Sequence, residues 1–245
     1  MPSSPSKPDR EERLERLIAR PFAHRGLHGE GRIENSRAAF EAALEAGHGI
    51  ELDVQSSADG EAMVFHDDLL DRLAEATGPI GARSAEALTR IRLRGSAETI
   101  PTLAEIVRLI AGRAALLIEL KAPAGRASGL SRAVERVLAD HVGQVAVMSF
   151  NPAVGRWFSR YSPDRLRGLV VTEAGMPTRD RLRRRLAAFW SKPDFLAYDI
   201  RDLPSDFADR HRRRGLRILT WTCQSDDERA VARDHADQII YEVLT

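Results

Sequence analysis

Five short groups between His24 and Asp68 have the residue types and spacing for chemistry: His24-Arg25-Gly26, Glu34-Asn35-Ser36, Glu51-Leu52-Asp53, Asp59-Gly60 and His66-Asp67-Asp68. They combine imidazoles, which exchange protons near neutral pH, with carboxylates, a guanidinium and an amide. The run from Gly49 to Gln55 alternates apolar and acidic residues, so as a strand it turns Glu51 and Asp53 to one face. Asp59-Gly60 then signals a two-residue hairpin, because glycine tolerates positive φ. With that turn Ala58 opposes Glu61, Val54 opposes Phe65, and Asp53 opposes His66 with Cβ atoms about 4.5–5.5 Å apart. A bulge would shift this register, but without one an imidazole returns beside an acidic pair.

Taken alone, Glu51 and Asp53 also fit the solvated face of a half-buried strand. A second strand of the same design weighs against that reading. In Leu116 to Lys121, Glu119 and Lys121 share a face, and the apolar run from Ala114 to Ile118 marks the strand as buried. Three carboxylates on neighbouring buried strands repel one another unless a cation or protons intervene. A hard divalent cation held by Glu51, Asp53 and Glu119 is the simplest answer, and an all-oxygen set without thiolate suits Mg²⁺ or Ca²⁺.

The elements that must position these groups follow a repeated punctuation, a helical run ended by glycine and then a short β-rich run. It occurs at Gly47, Gly112, Gly143 and Gly215. Eight strands are expected: Phe22–His24, Ile50–Val54, Leu116–Leu120, Val145–Ser149, Leu166–Val171, Phe195–Asp199, Leu216–Thr222 and Gln238–Tyr241. Helical patterns separate most of them, among them Arg37 to Ala46, Leu103 to Ala111, Leu130 to Asp140 and Leu182 to Trp190. Alternating β and α predicts an α/β fold, a (β/α)8 TIM barrel with a small β-hairpin insertion after strand 2. An open doubly wound sheet is the alternative, and no Gly-rich dinucleotide loop supports it. In a barrel, functional groups gather where strands end at the C-terminal rim. His24, Glu51, Asp53, Glu119, Lys121, Ser149, Asp199 and Trp221 all fall at or near such ends. The irregular segment Leu69 to Pro101, with a helix candidate at Ser84 to Arg92, is expected to wrap the barrel flank.

At 245 residues with 43% hydrophobic content, the chain can bury one sizeable core. We expect an N-terminal tail and short amphipathic helix over residues 1–20 and the barrel domain over 21–245. A formal charge of +1 argues against nucleic acid or a membrane surface as the dominant partner. One cysteine, Cys223, excludes an intrachain disulfide and a multi-cysteine metal site. No signal-like or membrane-spanning apolar run is present, so a cytoplasmic location is expected. Lys7, Lys121 and Lys192 are the only lysines, and an ammonium beside Glu119 suits a point charge near phosphate.

Taken in order, these motifs resemble the glycerophosphodiester phosphodiesterase family, whose barrel is similar to that of phosphatidylinositol phospholipase C. The pattern comprises His24-Arg25-Gly26, Glu34-Asn35, Phe40, Ala43, Gly47, Glu51-Leu52-Asp53-Val54, Asp59-Gly60, Val64 and His66-Asp67. It continues with Pro101-Thr102-Leu103, Glu119-Leu120-Lys121, Ser149-Phe150 and Trp221-Thr222. The resemblance implies metal ligation by Glu51, Asp53 and Glu119 and an acid/base pair in His24 and His66. It also places Arg25 and Lys121 near the phosphate, with Asn35 close by. Phe150 and Trp221 are expected to pack against the glycerol carbons of a small phosphodiester substrate. Ser57, Gln224 and the ending Ile240-Tyr241-Glu242 depart from the family pattern without touching the proposed catalytic set.

Other candidates have plainer readings. His28, His48, His141, His211 and His235 are assigned to surface or loop positions, and Cys223 lacks an adjacent histidine to make it a nucleophile. The basic runs Arg181 to Arg185 and Arg210 to Arg214 read as solvated helix faces, with Leu182, Leu186 and Phe189 at helical spacing behind the first. Trp221 serves equally as core or as a substrate-facing wall. The enzyme rival is phospholipase-D-like cleavage of lysophospholipids at the same site. The non-enzyme rival is a phosphate-ligand binding protein, although all five candidate ligand and acid/base residues are retained.

Overall fold

The structure is a computed structural model that describes residues 9–29, 31–174 and 180–243. The loose tail expected at the extreme N-terminus lies largely outside the described residues. The chain opens with α1 (Arg10–Leu17), β1 (Phe22–Ala23), α2 (Arg37–Glu45), β2 (Gly49–Ser56) and β3 (Ala62–Val64). A single turn of 3₁₀ helix (Ile80–Ala82) and short α3 (Ala85–Leu88) lead to α4 (Leu103–Ile110) and β4 (Leu116–Leu120). Then come α5 (Ala127–Leu138), β5 (Val145–Ser149), α6 (Pro152–Tyr161), β6 (Leu166–Val171) and α7 (Asp180–Ser191). The chain ends with β7 (Phe195–Asp199), α8 (Asp206–Arg212), β8 (Arg217–Cys223), α9 (Asp226–His235) and β9 (Gln238–Tyr241).

Among the described residues, eight strands pair in parallel from β1 through β2 and β4 to β9, and β9 returns to β1. This is the closed (β/α)8 TIM barrel that the alternation of elements predicts. β3 is the antiparallel arm of the inserted hairpin and pairs with β2. Side chains alternate along each strand. On β2, Ile50, Leu52 and Val54 pack outward into a cluster with Phe40 of α2 and Ile106 of α4. Glu51 and Asp53 therefore face the barrel interior. The floor beneath them is apolar: Phe22, Leu117, Met148, Phe195, Leu219 and Ile240 fill it together with Leu14, Leu17 and Ile18 from α1 and the residues after it.

Three details differ from expectation. The hairpin turn has three residues, because Ser57 N donates to Glu61 O at 2.9 Å and Gly60 takes φ +85°. Val54 thus opposes Val64, and Phe65 N donates to Asp53 O at 3.1 Å, so Phe65 and not His66 stands opposite Asp53. Outside the barrel, the segment from Leu69 to Pro101 carries only the four-residue α3 where a longer helix is expected. It still covers the flank, burying Leu70, Ile80, Leu88, Leu93 and Ile100 around Met63 and Phe65.

The third difference is on α7. Leu182, Leu186 and Phe189 are exposed, and the helix buries Ala188 and Ser191 instead. The Arg181 side chain lies outside the described set. No described helix is long and apolar enough to cross a membrane.

Candidate active site

The inward face of β2 and its neighbour β4 gathers three buried carboxylates. Asp53 and Glu119 are direct register partners, and Glu51 lies one inward position below Asp53. One oxygen from each lies within 4.8 Å of the other two. Burial and the neighbouring Asp53 and Glu119 push the Glu51 carboxyl well above the usual carboxylate range. Glu51 Oε1 is buried with no hydrogen-bond partner among the described residues. A buried acceptor in that position calls for a cation or a proton.

Two basic side chains offset part of this charge. Lys121 Nζ lies 2.7 Å from Glu119 Oε1 and 3.1 Å from Asp53 Oδ1. Arg25 Nε lies 3.2 Å from Asp53 Oδ2, while its Nη1 donates to Glu34 Oε1 at 2.7 Å and its backbone N–H donates to Glu51 Oε2 at 3.0 Å. Burial raises the Asp53 carboxyl, but Lys121 and Arg25 outweigh it and hold Asp53 at about 2. Of the three carboxylates, Asp53 is thus the one whose ionised form its neighbours favour most.

The backbone is shaped to deliver these contacts. Arg25 and Asn35 both take φ +56°, uncommon for residues with a Cβ. At Gly26 an added Cβ would fall 2.8 Å from the backbone oxygen of Ala39, so only glycine lets the loop after β1 approach α2. Ser36 caps α2 through its side chain on Ala39 N. Asn35 is thereby left to bond Asp53, donating Nδ2 to Oδ2 at 3.0 Å and accepting from Asp53 N at 3.2 Å.

The two histidines lie beside the carboxylates. His24 Nε2 is 3.9 Å from Glu51 Oε2, and His24 Nδ1 is 2.5 Å from Glu242 Oε1. His66 Nδ1 is 2.7 Å from Asp67 Oδ1. Burial, with Lys121 and Arg25 adding to it, lowers the His66 pKa against the opposing pull of Asp53 and Asp67. The one-residue register shift is absorbed because His66 follows β3 on an irregular stretch whose carbonyls Gln55 holds. Gln55 Nε2 donates to His66 O at 2.9 Å and Asp67 O at 2.6 Å.

Phe150 and Trp221 meet edge to face at 5.6 Å, and Trp221 Nε1 donates to Ala197 O at 2.9 Å. The indole is thus anchored in the barrel, while Phe150 stands exposed at the rim with Lys121 Nζ 6.0 Å from its centroid. Of the other rim candidates, Ser149 Oγ donates to Leu120 O at 2.7 Å and Asp199 pairs with Arg201, so both serve local structure. Cys223 is buried with its thiol pushed up to about 11, unsuited to nucleophilic attack.

Several residues escaped the sequence reading. Glu242, read as a departure remote from the site, reaches His24. His28, read as a surface residue, has Nε2 3.5 Å from Glu242 Oε1. Gln55 had a legible signal, since it shares a strand face with Glu51 and Asp53. Arg72 bridges Asp67 and Glu34 from the irregular segment, with Nε 2.6 Å from Asp67 Oδ2 and Nη1 2.9 Å from Glu34 Oε2.

Comparison with known proteins finds chains similar to this one. A glycerophosphodiester phosphodiesterase of Caldanaerobacter subterraneus subsp. tengcongensis is 26% identical over 230 residues, spanning 89% of this chain and 92% of its own. One of Bacillus altitudinis is 36% identical over 154 residues, 58% of this chain and 62% of its own. A phosphodiesterase of Oleispira antarctica, solved with its product sn-glycerol-3-phosphate, shares the fold with a TM-score of 0.80 at 24% identity, covering 93% of this chain and 94% of its own. The model of the glycerophosphoryl diester phosphodiesterase family matches residues 24–241, so the chain belongs to that family of phosphoric diester hydrolases.

Proposed function

We propose that this protein hydrolyses a glycerophosphodiester to glycerol phosphate and an alcohol, with a divalent cation held by Glu51, Asp53 and Glu119. The observation that carries the reading is the buried Glu51 Oε1, left without a partner among three convergent carboxylates. All the donors are hard oxygens, which fits Mg²⁺ or Ca²⁺. When bound there, such a cation supplies positive charge to a phosphoryl oxygen and lowers the pKa of an attacking oxygen.

The chain's own residues account for the remaining steps. Arg25 and Lys121 stabilise charge on the phosphoryl oxygens as it develops. His66, with Nδ1 engaged by Asp67, presents Nε2 to take a proton from the attacking water. His24, with Nδ1 held by the Glu242 carboxylate, presents Nε2 as the donor to the departing alcohol oxygen. Asn35 orients Asp53, and Phe150 and Trp221 offer apolar surface to glycerol carbons.

A second reading has one observation in its favour. Beyond Phe150 an apolar groove of ≈ 590 Å³ runs between Pro152, Val171, Leu186 and Trp190, and it would accept the acyl chain of a lysophospholipid. Turnover of a panel of glycerophosphodiesters and lysophospholipids, with and without added Mg²⁺ or Ca²⁺, tests both readings. Absence of turnover on every phosphodiester with metal present would end the first.

A further inference from the structure

Helical spacing of Leu182, Leu186 and Phe189 behind the arginines predicts an inward apolar stripe on α7, and the structure turns that stripe outward. Phe189 is 81% exposed, Leu182 62%, Leu186 56% and Trp190 46%. At 100° per residue these four positions fall within about 100° of arc. Ala188 and Ser191 lie on the far side and are buried, Ala188 among barrel residues such as Leu169 and Leu196 and Ser191 against Gly155 of α6. Among the described residues, the helix therefore has a covered face of small residues and an apolar face that is left uncovered.

Charge selects what covers the other. On the same wheel Arg183 and Arg185 flank the stripe, one on each side, and both are exposed. After Asp180 the helix contains no acidic residue. A second copy docking face to face through a two-fold axis would press these arginines against one another. An apolar stripe bordered by arginine on both sides instead matches a helix lying in the interface of an anionic bilayer, with guanidiniums at the headgroups and rings among the acyl chains. The net charge of +1 hides this local concentration. The stripe also adjoins the barrel mouth, since Leu186 and Trp190 line the same groove as Phe150.

We infer that the outward face of α7 is a docking surface for membranes containing anionic phospholipid. Docking there places the rim at Phe150 beside the bilayer, where lipid-derived diesters are released.

The test is co-sedimentation with phosphatidylcholine vesicles made with and without phosphatidylglycerol, at low and high salt, using the whole chain. The expected result is sedimentation with phosphatidylglycerol vesicles only, weakened by salt. In the double variant Leu182→Asp/Phe189→Asp the partition should fall more than about tenfold. Both side chains are exposed and neither lines the groove, so turnover of glycerophosphocholine in solution should not change. Arg185→Glu provides a second variant that leaves the stripe intact and should weaken binding to phosphatidylglycerol vesicles alone. The inference fails if the wild-type chain stays in the supernatant at low salt, or if the double variant sediments like wild type. It also fails if the stripe instead mediates a dimer, seen as concentration-dependent sedimentation velocity that the double variant abolishes.

Discussion

Nδ1 of His24, at the end of the first barrel strand, lies 2.5 Å from Oε1 of Glu242, just after the last. Barrel closure between β1 and β9 brings these residues together across almost the whole chain. Burial raises the Glu242 carboxyl, but hydrogen bonds with His24 and His28 outweigh it and hold it below the usual carboxylate range. An ionised Glu242 fixes the orientation of the imidazole through Nδ1. Glu242→Gln should therefore lower kcat by about 10²-fold with little change in KM. Glu242→Asp should recover part of that loss. Equal kcat for Glu242→Gln and wild type would show that the contact does not position His24.

The buried carboxylates predict metal dependence. Exhaustive chelation should abolish turnover, and Mg²⁺ or Ca²⁺ should restore it. Because the cation would bind the folded state alone, its addition should also raise Tm. Glu119→Gln removes charge at nearly constant shape, so it should weaken the Tm response more than it disturbs the metal-free fold. Full activity after chelation would end the proposal.

Arg72 connects the two halves of the site, pairing with Asp67 beside His66 and with Glu34 beside Arg25. Arg72→Lys keeps the charge but loses the forked geometry, and kcat should fall about tenfold. The same network has a pH signature. Hydrogen bonds from Arg72, working against partial burial, hold the Asp67 carboxyl at about 2. A depressed carboxylate contributes stability above its unfolded pKa of roughly 4, and that stability is lost as pH falls towards 2. In Asp67→Asn the decline of Tm between those limits should be shallower than in wild type. Parallel Tm curves for the two proteins would show that Asp67 contributes nothing.

Strand-level chemistry was legible because period-two alternation carries it. Glu51, Asp53, Glu119 and Lys121 come together as their spacing predicts. The register around Gly60 was not, since a third turn residue shifts every pair by one while leaving the Asp-Gly signal unchanged. Glu242 and Arg72 were invisible for another reason: each reaches the site through barrel closure or an irregular loop, with no local periodicity. On α7, a stripe at helical spacing shows that a helix has an apolar face but not which way the face points. Ala188 and Ser191, small enough to let the helix lie close to its neighbours, decide the direction.

The two histidines should separate by leaving group. General acid/base groups contribute about 10²–10⁴ in rate. His66→Ala and His24→Ala should both fall within that range on a glycerophosphodiester with an aliphatic alcohol. A nitrophenyl ester leaves without protonation, so His24→Ala should recover most of its rate there and His66→Ala should not. Equal losses for both variants on both substrates would contradict the assignment of His24 as acid.

Substrate size is decided around Lys121. Two hollows adjoin it, one of ≈ 560 Å³ bearing His66, Asp67 and Arg72, the other of ≈ 350 Å³ bearing Gln55, Asp68 and Arg126 beside Ile80 and Leu130. The charged side chains at each can hydrogen-bond a small alcohol. The apolar groove lies on the other side of Phe150, with β6 and α7 supplying its walls. An acyl chain there would gain up to about 0.8 kcal/mol per buried CH₂. It would also have to pass the exposed Phe150 ring, which stands between the groove and Lys121. A soluble diester reaches the phosphate site without that detour. We therefore expect kcat/KM for glycerophosphocholine or glycerophosphoethanolamine to exceed that for the matching lysophospholipid, measured below its critical micelle concentration. A clear advantage for the lysophospholipid, lost in Leu186→Asp, would reverse the order and assign the groove to the acyl chain.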